Sequence, residues 1–333
     1  MKTMLDQKSL ALSRVLLGVT VAIVITASCG IQDNQVASTN EDPSQLQLTL
    51  GYPAVSATIF PIVYAQEEGI FEEEGVDVHM SRIRGIPQIV ATLLNVDIDL
   101  GWMGFDGMAN AVVKGVKELR YIGEFLTELP QSLVVAPHIT TFEDLKGQPV
   151  ATAGPGTLTD TLFTEGLMRG GLANPRQETE YLHLPGQASR LTQLLNGTVV
   201  ASSLKVPATQ KAEQAGFPIL QYQGNLLDPW SGEGFVTHTS VLSDKDKALR
   251  AFLRSISRAI REMADNKSTA VRIASIYLDL DIPMAEKVYE AMMPIMNADG
   301  TWKLEGIQRM LDSRSGSDKF DATTVLDDSL LEQ

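Results

Sequence analysis

The chain has a single cysteine, Cys29, so no disulfide can form within it. Histidine is scarce as well. His79, His138, His183 and His238 lack the close pairing that marks a zinc site. No GxSxG elbow, HExxH helix or Walker A loop occurs, which removes the common signatures of α/β hydrolases, metalloproteases and nucleotide hydrolases. Positive charge is in deficit, with 27 Lys+Arg against 41 Asp+Glu and a net charge of −14. The deficit falls on the body of the chain, because Lys2, Lys8 and Arg14 face only Asp6 within residues 1–28. Phosphate backbones repel such a body, so nucleic acid is excluded as a partner. No apolar run reaches the roughly 20 residues that a helix needs to cross a bilayer.

The apolar run that is present, Val15–Ala27, follows the positive residues and suits the core of a secretory signal. It ends in Thr26-Ala27-Ser28-Cys29, which resembles the bacterial lipobox, with Thr26 where a leucine is usual. The resemblance implies acylation of Cys29 after removal of residues 1–28; the alternative is a plain cleavable signal with an incidental cysteine. Both readings export the protein. Residues 29–45 are polar and too poor in bulky apolar groups to order themselves, so they read as a flexible tether.

From Leu46 short apolar runs alternate with helical periodicity. The spacing predicts strands at 46–51, 76–80, 98–103 and 119–125. Helices fall between them at 58–69, 86–95 and from Asp106, read as an N-cap, to Gly115. A second round has strands at 132–136, 150–153, 179–184, 199–204, 218–222 and 235–241. Its helices are 157–169, 187–196 and 206–215. The remainder is helical at 244–265, 268–279, 283–293 and 304–312. Such alternation implies α/β architecture with parallel βαβ units. An internal echo supports two related halves: Leu93-Leu94-Asn95 returns as Leu194-Leu195-Asn196, and Gly115 returns as Gly216 at the same offset.

Several segments occur in an order and spacing that resemble the sulfonate/nitrate/taurine type of substrate-binding protein, a group that includes binders of the thiamine pyrimidine precursor. They are Gly51-Tyr52-Pro53, Ala65 to Phe71 with Glu74 to Val78, Pro87-Gln88, Leu94-Asn95, Thr141 to Gly147, Gly154 to Thr157, and Leu195-Asn196-Gly197. The resemblance covers about residues 46–312. Valine stands at 96 and 200 where the family has glycine and aspartate.

The resemblance implies a type II periplasmic-binding-protein fold, two doubly wound α/β lobes joined by two crossover strands. Lobe 1 would comprise 46–125 plus 238–333 and lobe 2 residues 130–232, with hinges near 126–130 and 232–238. It further implies the solute-binding subunit of an ABC importer: exported, monomeric, held to a membrane by lipid at Cys29, working with permease and ATPase subunits, and needing no cofactor. The rivals are an enzyme on the same fold, resembling a pyrimidine-precursor synthase, and a sensory module outside transport.

Such a fold holds ligand at the carboxyl ends of strands in both lobes. The first-lobe candidates are Tyr52, Ser56 and Thr58, then Trp102, Gly104, Phe105 and Asp106. Trp102 and Phe105 offer ring faces either to a pocket or to the core. Gly154, Gly156 and Thr157 sit between strand and helix, where free N–H groups can meet a ligand oxygen. Gln187 and Lys205 occupy equivalent loops, and Asp228 and Trp230 lie near a hinge. Asp106 suits an amine while Lys205 or Arg84 suits an anion, so the residues leave ligand charge open.

Overall fold

The computed structural model describes residues 46–155, 157–315 and 319–331. The signal segment, Cys29 and the tether lie outside the described residues, as does Gly156. No helix among the described residues is long and apolar enough to cross a membrane.

The body begins with β1 (Gln47–Tyr52), α1 (Phe60–Glu67), α2 (Ile70–Glu73) and β2 (Asp77–Arg82). Then follow α3 (Ile86–Leu94), β3 (Leu100–Gly104), α4 (Phe105–Val112) and β4 (Leu119–Leu126). The second stretch comprises β5 (Gln131–Val135), β6 (Pro149–Thr152), α5 (Leu158–Arg169), α6 (Pro175–Glu178), β7 (Glu180–His183) and α7 (Gln187–Leu195). It closes with β8 (Ala201–Lys205), α8 (Ala208–Gln214) and β9 (Ile219–Tyr222). The chain then returns through β10 (Glu233–His238) to α9 (Thr239–Asp244), α10 (Asp246–Asp265), α11 (Lys267–Leu278), α12 (Ile282–Met292) and α13 (Leu304–Ser315).

Two five-stranded sheets result, ordered β2-β1-β3-β10-β4 and β7-β6-β8-β5-β9. Each is parallel along its first three strands, while the fourth runs against both of its neighbours. That antiparallel strand is supplied in each case by the chain arriving from the other sheet, through 127–130 for β5 and through 223–232 for β10. Two α/β lobes thus exchange one strand each.

Both faces of both sheets are covered. On β3 and β10, Trp102 and Phe235 face one first-lobe core and Met103 and Val236 the other. On β5, Leu133 and Val135 face one second-lobe core and Val134 the other, as the period of two requires. In α10, Leu249, Phe252, Leu253, Ile256, Ile260 and Met263 recur at helical spacing and are all buried. Phe252 stacks on Phe71 at 5.6 Å and meets Phe235 edge-on at 4.7 Å.

The sequence echo extends to backbone geometry. After α3, Val96 N–H donates to Leu93 and Asp97 N–H to Thr92; after α7, Gly197 and Thr198 repeat both bonds to Leu194 and Gln193. Both turn residues are left-handed, Val96 at φ 58° and Gly197 at φ 74°. The valine therefore adopts a backbone that suits glycine.

Two local expectations are corrected. Asp106 is not the N-cap of α4; Gly104 holds that place with an extended backbone, and Asp106 lies in the first turn. The strand expected over 235–241 ends at His238, whose Nδ1 caps α9 by accepting from Ser240 N–H, so the helix starts at Thr239. Within residues 232–238, where a hinge was expected, Glu233–His238 form β10 of the first sheet.

Candidate functional site

A cavity of about 630 Å3 opens between the lobes at the carboxyl ends of the parallel strands. From the first lobe, the start of α3 supplies Ile86 and Pro87 with Gly85 just before it, and α4 supplies Asp106, Gly107, Asn110 and Ala111. From the second lobe, Thr157, Leu158 and Thr159 come from the start of α5 and Lys205 from the end of β8. Leu129 and Glu233, at the ends of the two crossings, complete the wall.

Local rules explain the framework. Gly85 takes φ 92°, which aims the chain into α3, and Pro87 sits in the first turn, where its missing N–H is no loss. A Cβ at Gly104 would lie 2.4 Å from Asp106 Oδ1, so glycine is what lets this carboxylate fold back over the helix start. Gly107 likewise admits Ile86, whose Cγ2 would lie 2.4 Å from an added Cβ. In the second lobe, Thr157 Oγ1 accepts from Asp160 N–H at 3.1 Å and fixes the start of α5.

Three ionisable groups meet in the interior of the cleft. Lys205 Nζ stands 3.7 Å from Glu233 Oε1, and the other Glu233 oxygen accepts from Trp102 Nε1 at 3.0 Å. Since Lys205 belongs to the second sheet and Glu233 to the first, this pair ties the lobes across the opening. Asp106 makes no ion pair among the described residues. Burial raises its pKa above the usual carboxylate range, Arg314 and Lys205 draw it back, and Glu233 pushes it up again. Arg314 stands behind α4, donates from Nε to Asn110 Oδ1 at 3.2 Å, and lies over the Trp230 ring at 5.9 Å. Asn110, its oxygen so engaged, lines the cavity.

Of the residues expected from the sequence, Gly104, Asp106, Thr157 and Lys205 are brought together in this cavity. Trp102 and Phe105 are fully buried in the two first-lobe cores. Tyr52 packs beside the first core, and Ser56 and Thr58 share a hydrogen bond of 3.0 Å away from the cavity wall. Gly154 shapes the turn before α5, with φ 113° and its carbonyl accepting from Thr157 Oγ1 at 2.8 Å. Gln187 acts from behind, its Oε1 accepting from Lys205 N–H at 3.0 Å. Asp228 and Trp230 line a separate cavity of about 210 Å3 at the crossings, where Asp228 pairs with Lys303 at 2.7 Å. Asn110, Leu129, Thr159 and Glu233 were not anticipated. Thr159 was within reach of the helix-start argument, whereas Glu233 opens a strand and carries no local signal. Among the described residues, no group of three or more His, Cys, Asp or Glu side chains is placed to hold a metal.

Two sheets with exchanged strands and a cleft between them define the periplasmic-binding-protein class of fold. The NMT1-like family matches over residues 41–278, and the chain belongs to that family. Among solved structures, the periplasmic aliphatic sulphonate-binding protein SsuA from Escherichia coli shares the fold with a TM-score of 0.68 at 20% identity. That alignment covers 84% of this chain and 91% of the other. The alkanesulfonate-binding protein SsuA from Xanthomonas axonopodis pv. citri, bound to MOPS, gives a TM-score of 0.69 at 17% identity over 85% of this chain and 98% of the other. A Candida albicans gene product described as having the generic periplasmic binding protein fold gives 0.67 at 13% identity, over 86% and 98%. No curated protein matches the chain.

Proposed function

We propose that this protein is the exported solute-binding subunit of an ABC importer, which captures a small molecule between its lobes and delivers it to a permease and ATPase pair. The observation that carries the reading is the cleft itself: Asp106 and Asn110 approach from one lobe, Thr157, Thr159 and Lys205 from the other. Capture by two halves requires walls on both, because closure then buries the solute and distinguishes loaded from empty protein. The lining is mostly apolar with a few converging polar groups, as small-molecule sites are. Export, a lipid anchor at Cys29 and action as a monomer without cofactor complete the proposal, and no covalent step is assigned to any residue.

Ligand that binds only the folded state raises its melting temperature. A screen of the full-length protein against sulfonates, nitrate, pyrimidines, amines and aromatic acids should reveal one class that does so. No shift from any class would overturn the proposal. Metabolic palmitate labelling should mark the wild type and not Cys29→Ser; label surviving the substitution would remove the anchor.

A further inference from the structure

One wall of the cleft, at the start of α4, is built against anions. In an α/β fold the first-turn N–H groups of a helix bind negative charge. Here the start of α4 carries its own carboxylate, Asp106, whose Oδ1 folds back over Gly104 at the helix start. At the start of α5 the carboxylate of Asp160 is balanced by Arg176 outside the cavity wall, so that helix start brings no net charge to the cleft. At α3 the second helical residue is Pro87, which has no N–H. The one interior lysine, Lys205, already faces Glu233, and Lys114 is exposed at the rim. Meanwhile Ile86, Val90, Ala111, Val116, Leu129 and Leu158 give the cavity broad apolar walls.

We infer that the cleft selects a solute with an apolar body and one protonated amine, the amine seated on Asp106, and that it rejects the sulfonate of the same body. This rests on the solute-capture reading above and adds the ligand class. A cation there would be the close counter-charge that Asp106 lacks among the described residues, since Arg314 and Lys205 act on it only from beyond ion-pair distance, and it would hold the carboxyl ionised against the effect of burial. An anion would instead displace that carboxylate from its own helix start or sit against its charge. Asp106 is thus the specificity-determining residue, and Asn110, fixed by Arg314, lines the same cavity.

Three probes that share one body separate the alternatives: phenethylamine, phenethyl alcohol and phenethylsulfonate, each titrated at millimolar concentration into the full-length protein by calorimetry and thermal shift. The amine should bind most tightly, the alcohol more weakly and the sulfonate not at all. Asp106→Asn should weaken the amine by about tenfold or more, ~1.4 kcal/mol, and leave the alcohol unchanged. The wild-type preference among the three probes stands as a test even if the variant folds poorly. Sulfonate binding as tight as the amine, or amine affinity untouched by Asp106→Asn, overturns the inference. Binding of the sulfonate alone refutes the amine class yet preserves solute capture. Binding of none of the three refutes the amine class, and only failure of the broader screen also refutes capture.

Discussion

Glu124 offers the sharpest test of the account of the crossings. It lies near the end of β4, is 2% exposed, and accepts from the Ser231 hydroxyl and from Gly232 N–H at 3.2 Å. Its side chain therefore fastens the end of the second crossing to the strand that leads into the first. Burial is the largest influence on its carboxyl and raises the pKa from 4.5 to about 7; the two hydrogen bonds and the nearby Lys303 only partly offset it. Because the folded value exceeds the unfolded one, the native state holds a proton that the unfolded chain releases. That contribution to stability is complete below pH 4.5 and is lost as pH rises through about 7. The difference corresponds to about 3 kcal/mol, since a tenfold change in ionisation is ~1.36 kcal/mol. Glu124→Gln keeps the shape and both acceptor bonds without the titration. Chemical denaturation of the full-length protein at a series of pH values from 4 to 8 should show wild-type stability falling relative to the variant across that window. At the alkaline end the variant should be the more stable. Asp106 and Glu128 are also raised by burial, but they titrate alike in both proteins and cancel in the difference. Parallel pH profiles, or a variant less stable at pH 8, would refute the reasoning.

Further outcomes follow from local geometry. Val96→Gly should stabilise the protein by about 1 kcal/mol in denaturant titration, because a β-branched residue at φ 58° is strained and its echo at 197 is glycine. Gly232→Ala should abolish native folding in a thermal melt, since its Cβ would lie 1.9 Å from Leu126 O and 2.8 Å from Glu128 N, both backbone. Lys205→Met should change unfolding free energy by less than about 1 kcal/mol, as for other partly exposed pairs. It should nonetheless raise the radius of gyration of the ligand-free protein in X-ray scattering, because the pair with Glu233 spans the lobes.

What the chain's own order determines is whatever depends on near neighbours. Most elements between β1 and α13 were legible because helix and strand periods, Gly69, Gly115 and Gly216 at turns, and Pro61 and Pro87 at helix starts act within a few residues; the short helices α2, α6 and α9, of four to six residues, are too brief to show a period. The repeated Leu-Leu-Asn turn was legible for the same reason, down to matching hydrogen bonds. Four of the cleft residues followed from their position between strand and helix.

Only the tertiary structure decided which side a residue faces when both sides are apolar. β3 is covered on both faces, so its sequence reads as a continuous apolar run and cannot say that Trp102 enters a core instead of the cleft. The cap expected of Asp106 falls to Gly104 because the carboxylate folds back over a helix start that this glycine leaves open. The pairs that matter most at the cleft and crossings, Lys205 with Glu233 and Glu124 with Ser231, join residues far apart in the chain. Their meeting depends on two sheets exchanging a strand, a long-range arrangement that leaves no periodic trace in the residues themselves.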